Sequence, residues 1–150
     1  MSELIRQQDL RPSSPEAIAR LEALGNELQK TYPPAEIRTE HHLHAGVYSR
    51  TIYVPAGVAV VGLTVKVPTQ LIACGHFRLT DGDKTVEMQG MHVLDGAAGR
   101  RAAVYAITPS AFTMLFATEA KTVEEAENEF TDEPERLLTR KENRLCQAHG

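Results

Sequence analysis

Residues 57–75 read GVAVVGLTVKVPTQLIACG, and this stretch decides the fold. Its apolar residues are β-branched and small, and Gly57, Gly62, Pro68 and Gly75 break it every few residues. That punctuation excludes a long helix and fits short strands separated by turns. The pattern extends in both directions. Val47–Pro55, Val58–Val67, Leu71–Leu79, Thr85–Met88, Met91–Leu94, Ala102–Thr108 and Ala111–Ala117 each read as a strand bounded by Gly, Pro or Asp. Thr80-Asp81-Gly82-Asp83 is a hairpin signal, because Asp-Gly tolerates the positive φ angles of tight turns. Seven short strands predict an antiparallel barrel or sandwich over residues 41–119. Alternation places Ile72, Phe77, Leu79, Val104 and Phe112 in its core, and Cys74, between Ala73 and Gly75, reads as buried packing with no charged neighbour to activate it.

The flanks follow a helical period. In residues 1–40, Ser13 or Ser14 caps a helix with Pro15 in its first turn, and Ile18, Leu21, Leu24 and Leu28 form one apolar stripe. Thr31-Tyr32-Pro33-Pro34 ends the helix and makes a stiff connector. Such a connector favours docking on a neighbouring copy, so this stripe is the expected oligomerisation surface. In residues 120–150, Thr122 with Glu125 forms a capping box ahead of Val123, Ala126 and Phe130. Asp132 with Glu135 repeats that signal before Leu137, Leu138, Arg140, Lys141 and Arg144. Acids precede bases along this segment, which suits helix dipoles. The three zones together make one structural domain.

Composition narrows the function. A chain of 150 residues suits one core. A net charge of −4 supplies no basic field for nucleic acid. No apolar run reaches membrane-spanning length, and the two cysteines, Cys74 and Cys146, with no secretory signal ahead of them, fit a reducing cytoplasm.

Few side chains offer chemistry. His42 and His44 share one strand face and could begin a metal site if His76 or His92 supplied a third ligand. His92 or His76, beside Tyr48, Tyr53 or Tyr105, could abstract a proton next to a carbonyl. Arg100 and Arg101 follow the turn Gly96-Ala97-Ala98-Gly99 and could receive an anion.

Four segments carry a family resemblance: GVYSRTIYVPAG (46–57), GMHVL (90–94), AGRR (98–101) and TVEEAENEFTDE (122–133). On these the chain resembles small cupin-like proteins encoded by tailed bacteriophages and prophages. The resemblance implies a jelly-roll barrel of the cupin type, with helices at both ends. Metal-binding cupins place a His-x-His pair and a Glu after the glycine matching Gly62. Here that interval is Leu63-Thr64-Val65-Lys66-Val67-Pro68, so no cofactor and no metal are expected. The group brings no activity or catalytic residue to carry over. The reading is a non-catalytic protein acting through contacts with itself or with phage or host proteins. The alternatives are a metal-free isomerase or epimerase and a small anion-binding module.

Overall fold

The computed structural model describes residues 9–137. Helix α1 (Pro15–Thr31) starts where Ser14 Oγ accepts from the Ala17 amide, and it ends at Tyr32, whose extended backbone leads into Pro33. Seven antiparallel strands follow: β1 (Arg38–His44), β2 (Val47–Val54), β3 (Ala59–Val61), β4 (Thr69–Thr80), β5 (Thr85–Gly96), β6 (Ala103–Ala106) and β7 (Ser110–Ala117). Helix α2 (Val123–Phe130), capped by the Thr122 side chain, and a 3₁₀ turn (Pro134–Arg136) come last. The expected second tail helix lies mostly outside the described residues, as does Cys146.

The strand order is β1-β2-β7-β4-β6-β3, with β5 on the other side of β4. Strand β4 organises the sheet. Its first half, Gln70–Cys74, pairs with β7, and its second half, Phe77–Thr80, pairs with β6. The two partners part at Gly75, whose φ of +139° suits only glycine and whose missing Cβ leaves room for Ser110. The sheet therefore curls into a half-barrel.

Two of the expected strands are one. Gly90 pairs with Gly75 across the long β4–β5 hairpin, so the glycine that suggested a break sits inside β5. Conversely, the expected strand Val58–Val67 is only three residues long. Beyond Gly62 the chain turns inward, and Leu63, Val65 and Val67 pack against Tyr48, Phe116 and Phe130. Strand β1 extends from Arg38, because Ala45 and Gly46 both hold positive φ and close a tight hairpin that pairs His41 with Arg50.

Two apolar clusters fill the concave side. One contains Val54, Ala73, Phe77, Leu79, Met88, Leu94 and Phe112, with Val104 packed against it. The other seats α2 through Ala126 and Phe130 on Tyr48 and Phe116. Ile72 is not in either cluster. The buried positions of β4 are Thr69, Ala73, Phe77 and Leu79, so Ile72 and Cys74 stand on the convex face, and Cys74 is exposed rather than packed inside.

Helix α1 docks on its own sheet. Ala17 and Leu21 are buried, with Leu21 2% exposed. Arg20 Nε donates to the Gly82 carbonyl at 2.7 Å and the guanidinium pairs with Asp83. The close approach needs Gly82, because a Cβ there would lie 2.7 Å from the Ala17 carbonyl oxygen. The stiff Pro33-Pro34 connector therefore returns the helix to its own barrel, contrary to the expectation of docking at a distance, and Leu21 is used up there.

Candidate functional site

The concave side carries three groups of buried polar side chains, and they differ in what they hold. The first joins β1, β2 and α2. His41 Nδ1 lies 2.7 Å from Tyr48 Oη, and Arg50 Nη1 donates to Glu127 Oε2 at 3.4 Å. Burial, then the Arg50 charge, then His42, hold His41 below its usual range, so the imidazole is neutral near pH 7. Burial pushes the Tyr48 phenol up. A neutral imidazole against a phenol could pass a proton, but Tyr48 is fully buried beneath Phe116 and Phe130 and no substrate can touch it. This group anchors α2. Sequence reasoning missed the pairing of His41 with Arg50; the Ala45-Gly46 turn was the signal for that register.

The second group holds α1. Arg101 Nε donates to the Gly62 carbonyl at 2.7 Å, its Nη1 pairs with Glu22, and its amide donates to Ser13 Oγ at 2.8 Å. Arg136 bonds the other Glu22 oxygen at 3.1 Å. These two guanidinium groups hold the Glu22 carboxyl below its usual range. Arg101, expected to receive an external anion, is occupied by one from its own helix.

The third group is Arg100. It is 5% exposed, its Nη1 donates to the Ala97 carbonyl at 3.1 Å, and its Nη2 donates to Thr69 Oγ1. Neither partner is charged. Burial alone lowers its pKa to about 10.

The remaining candidates scatter. His42 and His44 are exposed on β1, at the edge of the sheet. Among the described residues, no three His, Cys, Asp or Glu side chains come together as a metal-binding set. His76 Nε2 meets Glu87 Oε2 at 3.1 Å, and His92 Nε2 meets the Gln89 carbonyl at 2.9 Å. Tyr105 instead lines an apolar groove of about 280 Å³ with Leu24 and Leu28 from α1. The His–Tyr pair expected of an isomerase is thus divided among three settings. Ile18 and Leu28 are half-buried, and Leu24 is 40% exposed at the groove rim.

No protein-family model matches the sequence, and no curated protein matches it. Several of the similar solved structures are cupin proteins. A cupin-superfamily protein from Desulfitobacterium hafniense is 13% identical over 59% of this chain and 83% of its own, with a TM-score of 0.48. The cupin domain of an XRE-family transcriptional regulator from Enterobacter cloacae is 11% identical over 57% of this chain and all of its own, with a TM-score of 0.46. KdgF from Halomonas is 13% identical over 59% and 86%, also with a TM-score of 0.46. These likenesses concern backbone shape, and at such scores nothing about a site passes from them to this chain. Among the described residues, no helix is long and apolar enough to cross a membrane.

Proposed function

We propose that this chain is a non-catalytic cupin-like protein of the phage-encoded type, acting through protein contacts, and that its first partner is a second copy of itself. One observation carries the reading. The convex face of the β5-β4-β7 sheet is apolar along adjacent rows. Met91 lies opposite Cys74, which lies opposite Ala111; Val93 lies opposite Ile72, which lies opposite Thr113. Met91 is 71% exposed and Val93 49%. A protein that stayed alone would leave these side chains in water at a cost proportional to their area. Among the described residues, strand β5 pairs with β4 along its length and meets Leu10 at Gly96 on its other edge, so the rest of that edge has no strand partner among them. On the concave side, Phe77, Phe112 and Leu94 are packed into the apolar core.

The test is assembly mass. Light scattering on the full chain should give a dimer or larger closed oligomer, and Met91→Asp with Val93→Asp should return it to monomer with circular dichroism unchanged. A wild-type monomer at 100 μM (roughly a hundredfold above a micromolar Kd) would overturn the reading. Leu24→Asp, at the exposed end of the helix stripe, separates a sheet-mediated assembly from one that also uses α1.

A further inference from the structure

We propose that residues 4–8 add a parallel strand to the outer edge of β5 in their own chain. The proposal does not depend on self-association. Its basis is a ladder already begun. Leu10 pairs with Gly96 in parallel, its amide donates to the Asp95 carbonyl at 3.0 Å, and its carbonyl accepts from the Ala97 amide at 2.9 Å. Its side chain is buried in the barrel core, which fixes this end of the segment in place. Asp9 is still beside β5, because its Oδ1 accepts from the Asp95 amide at 3.2 Å. That side-chain oxygen occupies the rung that the Gln8 carbonyl takes in a regular parallel ladder, and the docked arm hands the amide over to it. Both chains of a parallel ladder run the same way, so the residues before Leu10 meet those before Gly96.

Backbone groups alternate between the two sides of a strand, so after Asp95 the next amides and carbonyls on this edge belong to Val93 and Met91. Among the described residues these groups have no strand partner. The edge ends at Gln89, whose carbonyl lies 2.9 Å from His92 Nε2. The segment before Leu10 fits the rungs between. Carrying the Leu10–Gly96 register back sets Ile5 opposite Met91 and Leu4 opposite Gly90. Met91 is 71% exposed, and an isoleucine beside it on the convex face removes apolar surface of both from water. A Cβ on Gly90 would meet nothing within 4 Å, so the opposite face has room for Leu4. The two adjacent apolar residues of the arm thus each find a place on their own face of the sheet. Leu10 also selects the occupant: it tethers this segment within a few residues of the rungs, an effective concentration that a second copy's arm does not match.

The test is amide hydrogen exchange of the full chain, followed by ¹⁵N NMR at pH 7. The Val93 amide should donate to the Arg6 carbonyl and the Met91 amide to the Leu4 carbonyl, and both should exchange at least about tenfold more slowly than unstructured amides. In this register the Arg6 amide donates to the Met91 carbonyl, whereas the Gln7 amide faces away from β5. Arg6→Pro should therefore abolish the protection of both amides, and Gln7→Pro should leave it within about threefold of the parent. A second measurement needs no variant. In a mixture of isotope-labelled and unlabelled protein, filtered nuclear Overhauser contacts between Ile5 and Met91 should arise within one chain. Unprotected Val93 and Met91 amides in the parent, the same outcome for the two proline variants, or Ile5–Met91 contacts that are absent or arise between chains would each overturn the proposal.

Discussion

Removing the Glu127 carboxylate should destabilise the protein far more than removing both it and Arg50. The two side chains are 4% and 10% exposed, and their closest oxygen and nitrogen are 3.4 Å apart. Glu127→Ala leaves the guanidinium of Arg50 buried beside Tyr48 without its carboxylate, and breaking a buried pair in this way costs about 3–5 kcal/mol. The low end applies, about 3 kcal/mol, because Tyr48 Oη still stands near Arg50 and offers a neutral acceptor. Arg50→Met with Glu127→Met replaces both charges by apolar groups of similar length, for which such exchanges are near neutral or favourable. The double variant should therefore lie within about 1 kcal/mol of the parent, about 2 kcal/mol more stable than Glu127→Ala. Urea denaturation followed by circular dichroism supplies each value, provided the slope of the transition stays constant. A Glu127→Ala loss below about 1 kcal/mol, or a double variant no more stable than Glu127→Ala, would refute the claim that this pair seats α2 on the barrel.

Two further outcomes follow from the concave side. His41 has a folded pKa below its ordinary 6.5, so the unfolded chain takes up a proton first as pH falls. Its contribution to stability is complete above about pH 6.5 and is lost as the pH drops toward the depressed folded value; His41→Asn should flatten urea midpoints in that window, and a slope unchanged by the substitution would contradict the burial argument. Phe112→Ala should cost about 3–5 kcal/mol through lost burial and the cavity left against Phe77, whose ring centroid is 4.9 Å away. Ile72→Ala should cost less than about 1 kcal/mol in monomer, because Ile72 faces outward; equal losses for the two variants would mean that the register of β4 is shifted by one.

Much of the architecture was legible in local chemistry. Ser14 with Pro15, Thr122 with Glu125, and the Asp81-Gly82 turn are short-range signals whose hydrogen bonds close within a few residues, and each lies where the sequence put it. The apolar character of 63–67 was also readable: Leu63, Val65 and Val67 pack against the cluster around Tyr48, Phe116 and Phe130. Pairing across the chain was not readable. Whether Gly90 breaks a strand depends on its meeting Gly75, and whether Ile72 is core depends on which face of β4 the half-barrel turns inward. Whether the α1 stripe seeks a neighbour depends on Gly82, about sixty residues away, leaving space for Ala17. The sites divide in the same way. Sequence alone could mark Arg100 and Arg101 as adjacent cations after a turn; only the tertiary structure gave Glu22 to Arg101 and set Arg100 against the Ala97 carbonyl and the Thr69 hydroxyl. Periodicity and capping are properties of a few consecutive residues, whereas burial and charge compensation arise between residues that only the folded chain brings together.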